Sequence, residues 1–183
     1  MPKSFRLIFV ASVLVIAGLV LLVGCSDDET EPETEAEATT TTTLSERAQE
    51  YADRIPELEQ SVEENPEGLQ TIQDLAVAYF QGRRYEEAVD TYERMLEIED
   101  DAFTHNNLGN VYREMGNLEE AESQYETAIE MDPSLTVTYV NLAAMYERQE
   151  RTDELRSLLE RGVENTTGED QERLKSLQES MLV

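Results

Sequence analysis

A stripe of apolar residues between positions 108 and 115 predicts an amphipathic helix. Its members follow the i, i+3, i+4, i+7 spacing of one helix face: Leu108, Val111, Tyr112 and Met115. Gly116-Asn117 interrupts the stripe, and a second one follows in which Ala121 and Ala128 are small enough for two helices to approach closely. Pro133 ends the second stripe. The segment is therefore predicted to be a helical hairpin.

The hairpin pattern occurs three times. In the first copy, six positions precede their counterparts in the middle copy by one constant spacing: Leu75, Tyr79, Tyr85, Ala88, Tyr92 and Met95. In the third copy, Leu142 and Tyr146 follow Leu108 and Tyr112 by nearly the same spacing, and the second half of the pattern is degenerate. Stacked hairpins bury a continuous core that a single hairpin lacks. The sequence thus predicts an all-α fold of antiparallel hairpins over residues 68–168.

The ends of such a stack need covering. We predict flanking helices or a degenerate repeat over residues 44–67, with Pro56 either starting a second helix or kinking the first. Leu174 and Leu177 lie on one face of the last segment. Residues 169–183 are therefore predicted to form a capping helix.

The middle copy resembles the tetratricopeptide repeat. The positions that carry the resemblance are Leu108, Gly109, Tyr112, Gly116, Ala121, Tyr125, Ala128 and Pro133. The first copy departs from that pattern at Met95 and Asp100, where the family favours a small residue and a proline. The resemblance implies a short right-handed solenoid, in which the first helix of each hairpin lines a concave groove for a peptide or a partner helix.

The register implied by this resemblance assigns residues to the groove. They are Gln70, Gln73, Asp74, Val77 and Phe80 in the first copy, Phe103, Asn106, Asn107, Asn110 and Arg113 in the second, and Val137, Val140, Asn141, Ala144 and Arg148 in the third. Asn107 and Asn141 occupy equivalent positions of two copies, and each amide offers a donor and an acceptor to an extended backbone. The hypothesis is a two-rung asparagine ladder, extended toward the first copy by Asp74. The alternative is that these asparagines bond helix ends and neighbouring side chains.

The amino-terminal segment indicates export. Lys3 and Arg6 precede an uncharged apolar run over residues 7–23, and the only cysteine, Cys25, follows Gly24. Residues 22–25 resemble the lipobox of bacterial lipoproteins. That resemblance implies that residues 1–24 are a signal peptide and that Cys25 carries a diacylglycerol, which is the only cofactor-like group expected. The alternative is an uncleaved anchor with an incidental Cys25. Both interpretations place the rest of the chain outside the cytoplasm, in the periplasm or at the cell surface.

Residues 25–43 contain many acidic and threonine residues and no large apolar side chain. Such a segment buries too little surface to offset the entropy of ordering it. We therefore predict a disordered tether between the membrane and the repeats.

Charge limits the classes of partner. The chain carries 41 acidic and 14 basic residues, for a net charge of −27, which excludes nucleic acid as an expected partner and favours a neutral or basic protein or peptide. A single cysteine permits no internal disulfide, and one histidine, His105, provides no pair for a transition metal or a catalytic dyad. His105 is interpreted as structural. No enzymatic activity and no metal are predicted.

The function predicted from these features is that of a membrane-anchored extracytoplasmic adaptor that holds a protein partner in its groove. Lipoproteins of this repeat class assist pilus assembly or the docking of peptidoglycan enzymes, and no residue chooses between such envelope roles. The alternatives are a ligand-binding accessory subunit of a transport system and a self-associating structural protein. The oligomeric state stays open.

Overall fold

The computed structural model describes residues 34–182, with side chains from residue 46 onward. Cys25, the predicted signal peptide and the first part of the predicted tether lie outside this range. The described part contains eight helices: α1 (Thr34–Glu64), α2 (Leu69–Gln81), α3 (Tyr85–Ile98), α4 (Ala102–Met115), α5 (Leu118–Met131), α6 (Thr136–Arg148), α7 (Thr152–Asn165) and α8 (Gly168–Met181). None of these helices is both long and apolar enough to cross a membrane.

The apolar stripes pair the helices into three hairpins, α2–α3, α4–α5 and α6–α7, which stack in chain order. Tyr125, Tyr139 and Leu159 are fully buried between them. Gly109 permits the tight packing within α4–α5, because a Cβ atom there would lie 2.8 Å from ring carbons of Tyr125. The prediction of an all-α stack of hairpins is confirmed.

Both ends of the stack are covered by a helix. At the carboxyl end, α8 packs on α7 and α6, and it buries Leu174 completely. Gly162 makes room for this contact, since a Cβ atom there would lie 2.9 Å from both Leu174 and the Tyr139 ring. The predicted capping helix is therefore present. At the amino end, α1 packs along α2 and buries Ile55 and Val62.

The amino-terminal flank is one helix that passes through Pro56, so no second helix starts there. An internal proline costs about 3 kcal/mol, and burial of Ile55 and Val62 against α2 offsets that cost. α1 also begins earlier than the sequence indicated. Residues 34–43, predicted as part of a disordered tether, have helical backbone because the segment opens with the helix formers Glu35, Ala36 and Glu37 and continues into a packed helix.

The start of α4 has the best side-chain cap of the stack. Asp101 accepts hydrogen bonds from the backbone amides of Phe103 (2.9 Å) and Thr104 (3.1 Å), and from the hydroxyl of Thr104 (2.5 Å). The equivalent position before α6 is Leu135, which provides no such cap. As a result the hydroxyl of Thr138, the counterpart of Thr104, is buried and has no hydrogen-bond partner among the described residues.

The turns inside the three hairpins all require a left-handed backbone. Gly116 provides it in the middle hairpin with φ of 83°. The equivalent residues are Arg83, with φ of 60°, and Glu150, with φ of 59°. A side chain makes this conformation unfavourable, so the outer two hairpins contain local strain that the middle one avoids.

Recurring tyrosines join each hairpin to the helix before it. The hydroxyl of each donates to a glutamate: Tyr79 to Glu59 (2.6 Å), Tyr112 to Glu93 (3.3 Å) and Tyr146 to Glu122 (2.8 Å). Burial, and then the bond to the Glu59 carboxylate, raises the pKa of Tyr79 to about 12. The guanidinium groups of Arg84 and Arg151 lie 4.7 and 4.3 Å from the ring centres of Tyr79 and Tyr146. These contacts fix the hairpins relative to one another.

Candidate binding groove

The first helices of the hairpins, α2, α4 and α6, position the side chains assigned to the groove. Their exposure is uneven. The exposed residues are Asp74, Phe103, Val137 and Arg148. The half-buried residues are Val77, Asn107, Asn110, Arg113, Val140, Asn141 and Ala144. One residue, Asn106, is buried. The structure thus leaves most of the predicted groove residues accessible. The prediction that Asn106 lines the groove is wrong.

Asn106 lies between α4 and α6 and bonds both neighbouring asparagines. Its Oδ1 accepts a hydrogen bond from Nδ2 of Asn141 at 2.9 Å, and its own Nδ2 donates to Oδ1 of Asn107 at 3.3 Å. Only 4 % of Asn106 is exposed, so it cannot line an open groove as predicted. Its role is to connect the two inner helices.

This arrangement changes the predicted ladder into a chain of three amides. Asn107 and Asn141 are indirectly joined through Asn106, so the alternative that these asparagines bond their neighbours is partly correct. Within the part of the chain that the structure describes, Nδ2 of Asn107 and Oδ1 of Asn141 have no hydrogen-bond partner. The chain of amides therefore has one donor and one acceptor available at its two ends.

Two other predicted groove residues are held by bonds within the protein. Oδ1 of Asn110 accepts a 2.8 Å hydrogen bond from the hydroxyl of Tyr125, whose pKa burial raises to about 12. Asp74 accepts a 2.9 Å bond from Gln70 on its own helix. No bond from Asp74 to the asparagines occurs among the described side chains, so the expected extension of the ladder to the first hairpin is not seen.

A cavity of about 210 Å³ lies near the carboxyl ends of α4 and α6. Its walls are Arg113, Gly116, Leu118, Met145, Arg148 and Gln149. Arg113 contacts Glu114 at 3.2 Å, whereas Arg148 has no ion pair among the side chains from residue 46 to 182. The sequence analysis assigned both arginines to the groove, but it did not identify Leu118, Met145 or Gln149. These residues meet where two hairpins pack together, and they do not occupy one recurring position of the repeat.

His105 is bonded on both sides of its ring. Nδ1 lies 2.6 Å from Oε1 of Gln124 on α5, and Nε2 lies 2.8 Å from a carboxylate oxygen of Asp100. Both ring nitrogens are thus engaged in hydrogen bonds, one to α5 and one to the segment just before α4. Such bonding fits the interpretation of His105 as a structural residue. The side chains that the structure describes contain no group of three potential ligands for a metal ion.

Comparison with known proteins identifies the repeats. Tetratricopeptide repeat sequence models match residues 71–103, 102–135 and 138–172, which together are more than half of the chain. The chain belongs to the tetratricopeptide repeat family. No curated protein sequence matches it.

Solved structures of tetratricopeptide repeat type have the same fold. A crystal structure of MamA is 23 % identical in sequence, with a TM-score of 0.58. The aligned region covers 78 % of this chain and 84 % of the MamA chain. TTC0263, a thermophilic tetratricopeptide repeat protein of Thermus thermophilus, is 20 % identical in sequence, with a TM-score of 0.59. The aligned region covers 70 % of this chain and 71 % of the TTC0263 chain. Proteins of this family commonly bind protein partners, which supports a protein-interaction scaffold.

Proposed function

We propose that the chain is a membrane-anchored adaptor that faces the extracytoplasmic side and holds an extended segment of a partner protein along α4 and α6. The lipobox-like sequence that ends at Cys25 supports the anchor, which would be a covalent lipid. An envelope assembly, such as that of a pilus, is the kind of setting in which such an adaptor acts.

The observation that carries this proposal is the asparagine chain from Asn141 through Asn106 to Asn107. An extended backbone presents N–H and C=O groups, and the accessible Oδ1 of Asn141 and Nδ2 of Asn107 complement them. The bond to Asn106 holds Asn141 in place before a partner binds, so little side-chain freedom is lost on binding. The groove is thus partly preorganised for a backbone.

The two asparagine bonds alone are too weak to hold a partner. Each adds about 0.5–1.5 kcal/mol, whereas micromolar affinity needs about 8 kcal/mol. Apolar contacts at Val140 and Ala144 and a side chain in the cavity beside Arg148 would supply the remainder. That cavity, at about 210 Å³, is smaller than the roughly 300 Å³ typical of small-molecule sites, so it fits one side chain of a partner better than a separate ligand.

The charge of the molecule favours a neutral or basic partner. The net charge of −27 produces a negative field that attracts cationic segments and repels acidic ones. The exposed Asp74 contributes to this field beside α4.

Site-specific photo-crosslinking of the full chain in its own membranes tests this proposal. A crosslinking residue replaces Ala144 in the groove or, as a control, Glu160 on the exposed side of α7. We expect a discrete adduct from position 144 and not from position 160. The adduct should disappear in the Asn107→Ala, Asn141→Ala double variant.

The matched control is Asn110→Ala, because the Asn110 carbonyl bonds the buried Tyr125 hydroxyl. This variant should lose stability but keep the adduct, which separates binding from folding. Retention of the adduct in the double variant, or the same adduct from position 160, would show that the asparagine chain is not a binding site.

A further inference from the structure

The connection between α7 and α8 contains an acceptor sequence for glycosylation of asparagine. Asn165-Thr166-Thr167 has the Asn-X-Thr form in which X is not proline. No other asparagine of the chain has a serine or a threonine two residues later. A match of three residues also occurs by chance, so the geometry of the segment decides whether it is suited to be an acceptor.

The three residues alternate between solvent and core. Asn165 and Thr167 are exposed, whereas Thr166 between them is only 3 % exposed. The backbone is extended at Thr166 (φ −112°, ψ 165°) and at Thr167 (φ −140°, ψ 163°). In extended backbone, residues i and i+2 project to the same side, whereas in a helix they point about 200° apart. An enzyme can therefore contact the Asn165 amide and the Thr167 hydroxyl together, as recognition of Asn-X-Thr requires.

The middle residue holds the segment in place. The hydroxyl of Thr166 donates a 2.8 Å hydrogen bond to the backbone carbonyl of Gly162 on α7. The backbone amide of Thr166 donates to the same carbonyl at 3.1 Å. The segment is thus fixed by the residue that faces the core, and not by the two residues that an enzyme would contact.

The Asn165 amide and the Thr167 hydroxyl are both available. Thr167 occupies the N-cap position of α8, but its side chain makes no capping hydrogen bond within the part of the chain that the structure describes. Nδ2 of Asn165 donates a 3.2 Å bond to the hydroxyl oxygen of Tyr139, which uses one of its two hydrogens. Replacement of the other hydrogen by a sugar leaves a donor for that bond, so the modification does not require the end of α7 to unfold.

We propose that Asn165 is a site of N-linked glycosylation. This proposal rests on the proposed extracytoplasmic function, because Asn-X-Thr acceptors are modified in exported proteins. The sugar donor is a lipid-linked glycosyl diphosphate, and a membrane-bound transferase catalyses the step. Nδ2 of Asn165 forms a bond to the anomeric carbon of the sugar while the bond from that carbon to the donor phosphate breaks. The phosphate oxygen takes the bonding electron pair, and Nδ2 loses one proton to a base of the transferase.

The modified residue lies outside the groove. The groove is formed by the first helices of the hairpins, whereas Asn165 is the last residue of α7, the second helix of the third hairpin. A glycan there adds bulk and hydration beside the capping helix α8. Partner binding in the groove therefore does not require the glycan.

The test is mass spectrometry of the full chain extracted from its own membranes. Trypsin cleaves after Arg161 and Arg173, so the peptide of residues 162–173 contains the whole acceptor sequence and is separate from any peptide with Cys25. We expect this peptide to carry the mass of one or more sugar residues, with the attachment at Asn165 in its fragment spectra. Asn165→Gln should abolish the modification. Thr167→Ala should lower the modified fraction at least tenfold, and Thr167→Ser should retain it.

The Thr167→Ala variant separates recognition from folding. Its melting temperature should match that of the unglycosylated Asn165→Gln variant, because the Thr167 side chain makes no capping bond. An unmodified peptide of residues 162–173 would overturn the proposal, and lipid on Cys25 in the same sample would show that the proposed anchor still stands. Equal modification of Thr167→Ala and wild type would also overturn it, because the hydroxyl is then not recognised. A sugar on Asn165 in a chain without lipid on Cys25 would support glycosylation and exclude the lipid anchor.

Discussion

Two equivalent threonines should respond to the same substitution with opposite changes in stability. Thr104 and Thr138 are the third residues of α4 and α6, and both are buried. The hydroxyl of Thr104 donates to the carboxylate of Asp101 at 2.5 Å. Within the described part of the chain, the hydroxyl of Thr138 has no hydrogen-bond partner, because Leu135 occupies the position of Asp101 in the preceding repeat. Replacement by valine keeps the shape and the branching of each side chain.

The magnitudes follow from the hydroxyl groups. A buried unsatisfied polar group costs about 1–3 kcal/mol, so Thr138→Val should raise the free energy of unfolding by about 1 kcal/mol or more. A hydrogen bond to a charged group adds about 1.5–3 kcal/mol to stability. The more apolar valine side chain offsets part of this loss, so Thr104→Val should lower the free energy of unfolding by about 1–2 kcal/mol. At about 2–4 °C per kcal/mol, the two melting temperatures should move apart by several degrees.

Thermal and urea unfolding of the two single variants, followed by circular dichroism, measures this difference. If Thr138→Val destabilises the protein as much as Thr104→Val, the Thr138 hydroxyl has a partner and the account of the α6 start is wrong. The Asp101→Ala variant is the internal control. Thr104→Val should cost much less in that background, since the bond it removes is already absent.

Other parts of the chain lead to three further predictions. Glu150→Gly should raise the free energy of unfolding by up to about 1 kcal/mol and Gly116→Ala should lower it by a similar amount, because both positions have a left-handed backbone; equal changes of one sign would contradict this reasoning. Hydrogen bonds from Arg151, and then from Tyr146, lower the pKa of Glu122 below its unfolded value, so its contribution to stability is complete above about pH 4.3 and is lost as the pH falls through the folded pKa. The difference in melting temperature between wild type and Glu122→Gln should therefore shrink below about pH 4.3, and a constant difference would exclude this ion pair as the cause. The intact mass of the membrane-extracted chain should show cleavage before Cys25 and added acyl groups that a Cys25→Ser form lacks, and an unmodified full-length mass would exclude lipidation.

The hairpins could be predicted because their signal is repeated. The stripe at Leu108, Tyr112 and Met115 specifies one helix face, and its recurrence at a nearly constant spacing specifies stacking. The cap of α4 and the turn at Gly116 also follow local rules. These features depend on neighbours along the chain.

The details of the groove depend on contacts between hairpins and were less predictable. Asn106 and Asn107 are adjacent in sequence, but a helix turns about 100° per residue, so one is buried between α4 and α6 and the other reaches the groove. The family register placed both on the same side. The exposure of Ile98 and Met131, which occupy the same repeat position, also depends on how the hairpins stack and was not indicated by the stripes.

The most direct test of the groove is the side-chain amide signal of Asn107. The experiment uses NMR of the full chain in nanodiscs with ¹⁵N-labelled asparagine, before and after adding the peptide segment identified from the adduct at position 144. A backbone bound by the asparagine chain should shift the Asn107 side-chain amide strongly and leave that of Asn110, whose carbonyl is bonded to Tyr125, almost unchanged. An unmoved Asn107 signal at saturating peptide would contradict the account.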